Sequence, residues 1–113
     1  MRSLRVLLVL ALLGIPGALG AADGVLTIDG RKFGADTLKI KKGDRLVVAN
    51  RSQEEHSVWG HAGDYAFDFR ATDNNNLTHK AGETHAITMN IPGRYRIGCA
   101  LHQGMKAVVV VEE

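Results

Sequence analysis

A second cysteine is missing from this sequence. Cys99 stands alone, so no disulfide can close within the chain. Also missing is an apolar run long enough to cross a bilayer, which takes about 20 residues; the N-terminal run stops at Leu13, and Gly14 and Pro16 follow. No stretch sustains a helical period, no internal repeat recurs, and no basic stripe is interleaved with aromatics, which removes the usual footprint of nucleic-acid binding. The charge excess is also illusory. Fourteen Lys and Arg face twelve Asp and Glu, but Arg2 and Arg5 lie in the N-terminal segment; the rest of the chain carries twelve of each. The basic isoelectric point of the whole sequence is therefore no argument for an anionic partner.

What is present begins with a leader. "MRSLRVLLVLALLGIPGALG" has a basic start, an apolar stretch from Val6, a break and a tail of small residues, the plan of a secretory signal peptide over residues 1–20. Cleavage after Gly20 or after Ala22 fits the small residues there, and no lipid-attachment cysteine follows. The expectation is a soluble, monomeric product in the periplasm or another extracytoplasmic space, built as one domain over 21–113. About 93 residues support a modest core. In an oxidising compartment a lone thiol is either paired between chains or engaged in chemistry, and a bound metal would both protect it and stabilise a small fold.

Short alternating runs separated by Gly, Asn and Asp predict an all-β Greek-key sandwich of about seven to eight strands. "GVLTID" and "DTLKIK" alternate, with Leu38 and Ile40 on one side. "RLVVAN" follows the "KKGD" turn. "DYAFDFR" places Tyr65, Phe67 and Phe69 on one face, and "THAITMN" and "RYRIGC" flank "IPG" as a hairpin. "KAVVVVEE", continuously apolar, belongs inside a sheet. The polar stretch from Arg70 to Glu83 reads as a long loop with at most a short helix.

The chemistry concentrates in "CALHQGM", residues 99–105. Tyr95, Ile97 and Cys99 share the inward parity of a strand, so His102 and Met105 fall on the loop after it. A thiolate, an imidazole and a thioether on one tight loop are soft to borderline ligands; one more His would complete two His and one Cys in a plane with a weak axial Met, the arrangement of blue copper. Zinc fits less well, having little use for a thioether. In "VVANRSQEEHSVW" a strand and a turn precede His56, which opens the next run. A Cys–His nucleophile pair would need a third orienting group or an oxyanion loop, and neither is apparent; the chain does not read as an enzyme.

At this point the sequence resembles the cupredoxins of the plastocyanin/azurin type, with the short Cys-x2-His-x2-Met loop of amicyanin-like members. The likeness runs through "IKKGDRLVVANRSQEEHSV" and "AGETHAITMNIPGRYRIGCALHQGMKAVVVVEE". It implies one copper ion held by His56, Cys99, His102 and Met105, with Asn50, Gly43 and Asp44 at the family's turn and strand-end positions. Three positions depart from the family pattern. Ser57 stands where an Asn commonly ties the two ligand loops. Leu101 replaces a Pro before the second His, and Ala100 replaces a Ser or Thr after the Cys.

Other histidines compete. His61, in the turn "GHAG", is an alternative to His56. If "IPG" closes a hairpin with Asn90 facing Arg94, His85 falls opposite Cys99 at the copper end; otherwise it is an edge residue facing water. His79 reads as a solvated loop residue, Trp59 and Phe69 as core, and Met89 as packing. The function implied is one-electron transfer between redox partners such as a dehydrogenase or a c-type cytochrome. Those partners would dock near Leu101 and His102, where Ala100, Gln103, Gly104 and Met105 complete an uncharged patch. A copper storage or delivery protein would use the same residues with a more exchangeable site.

Overall fold

The computed structural model describes residues 22–68 and 78–113. The leader, Phe69 and most of the polar stretch from Arg70 lie outside the described residues. Among the described residues all regular structure is β. The strands are β1 (Asp23–Asp29), β2 (Lys32–Phe33), β3 (Thr37–Lys41), β4 (Arg45–Asn50), β5 (Val58–Ala62), β6 (Tyr65–Asp68), β7 (Thr84–Thr88), β8 (Gly93–Cys99) and β9 (Lys106–Glu112). They form two sheets, a five-stranded one in the order β3-β9-β8-β5-β6 and a four-stranded one in the order β2-β1-β4-β7. The strand beyond the eight read from sequence is β2, two residues long. It closes a hairpin on β1 through a two-residue turn in which Gly30 takes φ 58°, a value that favours glycine.

The alternation in sequence becomes the inside of the sandwich. Leu26 and Ile28 of β1, Leu46 and Val48 of β4, Val58 of β5, Tyr95 and Ile97 of β8, and Val109 and Val111 of β9 are all buried in one cluster. Side chains as enclosed as Leu46, Val48 and Val109 each contribute on the order of 1.5–3 kcal/mol by leaving water. The expected interior strand is confirmed: β9 lies between β3, parallel, and β8, antiparallel.

The "IPG" turn does not close a hairpin. β7 pairs with β4, and β8 pairs with β9 and β5, so the turn carries the chain from one sheet to the other. His85 consequently faces Val48, while Cys99 faces Val58. Proline and glycine mark a reversal of direction but not which sheet receives the returning strand. The corner is pinned by Tyr95, whose hydroxyl donates to the Ile91 carbonyl at 2.6 Å. Burial pushes that phenol's pKa up and keeps the proton on it. The arrangement is of the tyrosine-corner kind found in β-sandwiches.

Trp59 is also displaced from its expected place. Val58 and Gly60 face the core, so Trp59 lies on the outer side of β5. There it is half-buried over Gly98, where an added Cβ would come within 2.3 Å of the indole. Its ring stacks on His61 with centroids 5.6 Å apart. Met89, by contrast, packs in the core as expected.

Two connections end up at one end of the sandwich. Cys99 terminates β8 beside Val58, and residues 100–105 lead at once into β9, with Gly104 at φ 87° making the turn. The segment from β4 to β5 carries His56. β1 runs parallel to β4 and sets Ile28 beside Asn50, which brings the Gly30–Arg31 turn to the same end.

Candidate metal centre

The His56 segment is organised by one buried amide. The Asn50 side-chain NH2 donates to the carbonyls of Glu54 and His79, both at 2.8 Å, which fixes which end of the amide is oxygen. Its Oδ1 accepts from the Ser52 N–H at 3.0 Å, an Asx-turn readable in "NRS", and from the Ser52 hydroxyl at 2.6 Å. That short bond uses the hydroxyl proton. The Ser52 Oγ, 2.9 Å from His56 Nε2, must then accept, so Nε2 carries the proton of the ring and Nδ1 keeps its lone pair. His56 is fully buried, and burial, followed by the neighbouring His102, pushes its pKa down. The neutral, ligand-ready imidazole is the favoured form.

His79 overturns its expected place in solvent. It is buried, and its backbone exchanges two hydrogen bonds with that of His56, at 2.9 and 2.6 Å. The pairing holds the backbone at His79 against the segment that carries His56. His85, on β7, meets Glu83 at 3.2 Å and the ring of His79 at 4.8 Å. His61 lies on the outer face against Trp59. Neither joins the group described next.

His56, Cys99 and His102 bring three potential ligand atoms within 4.8 Å of one another. Cys99 Sγ lies 3.7 Å from His56 Nδ1 and 3.8 Å from His102 Nδ1, and the two Nδ1 atoms are 3.2 Å apart. Metal–nitrogen bonds of about 2.0 Å and a metal–sulfur bond of about 2.3 Å, arranged trigonally, would separate the same atoms by about 3.5–3.7 Å. On the other side of its ring, His102 Nε2 faces Glu54 Oε1 at 3.2 Å; a carboxylate can only accept, so this Nε2 also bears its proton. The Arg31 guanidinium, hydrogen-bonded to Glu54, holds that carboxyl below its usual range. Two imidazole lone pairs and a sulfur therefore converge on one point, an arrangement that a cation satisfies and that neutral packing does not. Met105 is buried in the core cluster with Cys99, on the inner side of the loop.

The missing Asn and Ser/Thr of the family pattern have a backbone substitute. The Ser57 N–H donates to Cys99 Sγ at 3.3 Å, and the Ala100 N–H donates to the Ser57 carbonyl at 2.8 Å. The two ligand-bearing segments are thus tied without either side chain. Leu101, next to His102 in the chain, is 51% exposed. The expected uncharged patch needs two corrections, however. Met105 turns inward, away from it, and the Glu54 carboxylate sits against the imidazole edge.

Residues 22–112 match the family of copper-binding proteins of the plastocyanin/azurin type. The chain belongs to that family. It is similar to the plastocyanin of Capsella bursa-pastoris, 31% identical over 90 residues that cover 76% of this chain and 86% of that protein. Among solved structures it resembles a reduced Cu(I) form of an amicyanin variant, with a TM-score of 0.65 and 28% identity over 82% of this chain and 83% of the other. An oxidised form of another amicyanin variant gives 0.64 and 26% over 78% and 80%. This cupredoxin therefore has one copper ion as its cofactor, and the family's likeness supports copper electron transfer. Among the described residues no helix is long and apolar enough to cross a membrane.

Sequence reasoning missed Ser52, Arg31 and Glu54. The first had a local signal in its spacing from Asn50. The other two had none, because Arg31 meets Glu54 across 23 positions of sequence.

Proposed function

We propose that this cupredoxin is a periplasmic one-electron carrier, not an enzyme, in which His56, Cys99, His102 and Met105 would hold the copper. The observation that carries this reading is the convergence of two Nδ1 lone pairs and one sulfur on a point whose outer hydrogen bonds already fix both tautomers. Bound copper supplies the Cu(I)/Cu(II) couple. The chain supplies rigidity. Asn50 and Ser52 hold His56, the Ser57 N–H holds the sulfur, and neither ligand segment needs to move when an electron arrives or leaves. Met105, buried in the core cluster beside Cys99, would add a soft thioether to the donor set.

Partners such as a dehydrogenase or a c-type cytochrome would dock near Leu101 and His102. The exposed Leu101 gives an apolar contact beside the ligand closest to solvent, and transient redox encounters use small interfaces. The chain acts as a monomer in this scheme. Copper storage or delivery would need an exchangeable site, and the backbone ties between the two ligand segments favour a fixed one.

The deciding experiment loads the purified protein with Cu(II). An intense blue absorption, with reversible voltammetry and retained metal, is the outcome expected of a carrier. Colourless Cu(I) that exchanges readily with a chelator would replace this reading with copper handling.

A further inference from the structure

Glu54 occupies an unusual position for a surface carboxylate. Its backbone is immobilised: the carbonyl accepts from the Asn50 amide at 2.8 Å, and the N–H donates to the Ser52 hydroxyl oxygen at 3.2 Å. Its carboxylate plane is then set by Arg31, whose Nε lies 3.1 and 3.2 Å from the two oxygens and whose Nη2 lies 2.9 Å from Oε1. Arg31 itself stands on the two-residue turn between β1 and β2, the tightest connection in the four-stranded sheet. The remaining contact of Oε1 is His102 Nε2. The neighbouring Glu55 does not share this role; it accepts from the Thr78 hydroxyl at 2.6 Å.

We propose that Glu54, clamped by Arg31, is a positioning residue for His102: it accepts the Nε2 proton, fixes the tautomer and ring plane, and keeps Nδ1 aimed at the copper. The proposal rests on the copper assignment above. Exposed ion pairs add little to stability, so the consequence of this one lies in geometry. His102 is on a loop without proline, and the hydrogen bonds of the Asn50 network all lie on the His56 side. The Arg31–Glu54 clamp gives His102 the outer anchor that Ser52 gives His56. A carboxylate behind a ligand imidazole also raises its basicity, which strengthens the bond to the oxidised metal.

The test compares Glu54→Ala, Glu54→Gln and, as a control, Glu55→Gln. In the metal-free wild type at alkaline pH, 15N NMR should show His102 as a single Nε2–H tautomer; Glu54→Ala should show a mixture. In the copper form, both Glu54 variants should lose about 10-fold or more in Cu(II) affinity, the range for outer partners of ligand histidines. The reduction potential should rise in both. Glu55→Gln should stay within twofold of wild type. A single unchanged tautomer in Glu54→Ala, with Cu(II) affinity within twofold of wild type, would overturn the proposal. The metal-free measurement does not depend on copper uptake, so failure of the copper assignment and failure of this one are read separately.

Discussion

Two connections meet at the metal centre, and they are built on opposite principles. The segment from Cys99 to Met105 is short, joins neighbouring antiparallel strands, and carries three candidate ligands within seven positions. The segment from Asn50 to Ser57 crosses between the two sheets and offers one histidine, surrounded by hydrogen bonds from Asn50, Ser52, His79 and Glu54. One connection carries donor atoms; the other carries the network that orients them. Chemistry in such a site can be concentrated on the connection between paired neighbouring strands, while positioning is assigned to the hydrogen-bonded connection that crosses between the sheets. The most damaging way to break this division is to remove the sulfur. Cys99→Ser should abolish the intense blue absorption of the Cu(II) protein, because no other thiolate exists in the chain. A variant that remains blue would end the assignment.

The next effect falls on the other connection and on stability. Asn50 is 1% exposed and spends its amide on two carbonyls, a backbone N–H and a hydroxyl. Asn50→Ala leaves some of these groups buried without their partner, at a cost of about 1–3 kcal/mol. Urea unfolding of the metal-free protein should show that loss with little change in slope. Equal stability would mean that the segment holds itself by its pairing with His79 alone.

The same contrast explains what could be read from sequence. The Cys-x2-His-x2-Met loop was legible as a candidate site because its donor residues lie within seven positions of one another. The strands were legible because burial on one face imposes a period of two. The hairpin over "IPG" was a misreading, since a turn motif reports local backbone geometry, whereas the choice of sheet depends on β4 and β9, far away in sequence. His79 followed the same pattern: a polar neighbourhood suggested solvent, and a backbone pairing with His56 buried it. The Arg31–Glu54 clamp exists only because β1 runs parallel to β4, which no local pattern announces.

A smaller effect tests the surface that the ligand loop presents. Leu101→Glu adds a charge beside His102 without touching a proposed ligand. The copper spectrum should remain nearly intact, and electron transfer to a physiological partner should slow severalfold. With Glu54 already at this edge, a second carboxylate also strengthens the local negative charge, so the slowing should depend on ionic strength for a charged partner. An unchanged rate would move docking elsewhere.

The smallest expected effect lies at the far ends of the strands that frame the His56 network. β1 and β4 finish beside Asn50 but begin with Asp23 and Arg45, paired to each other across the ladder. Arg45 reaches both Asp23 oxygens, Nε at 2.7 Å and Nη2 at 2.8 Å. The geometry is as good as that around Asn50, yet both side chains are about half exposed. The hydrogen bond from Arg45 lowers the Asp23 pKa. A carboxyl whose folded pKa is lowered contributes stability that is present above its ordinary pKa and lost as pH falls through the lowered folded value. Solvent screens an exposed pair, so this contribution should be slight. Asp23→Asn should therefore leave neutral-pH stability close to wild type and flatten only the acid limb of the stability profile. If instead it destabilises the metal-free protein as much as Asn50→Ala, then burial is not what separates the two ends of these strands, and the weight given to the Asn50 network would have to be shared with the ion pair.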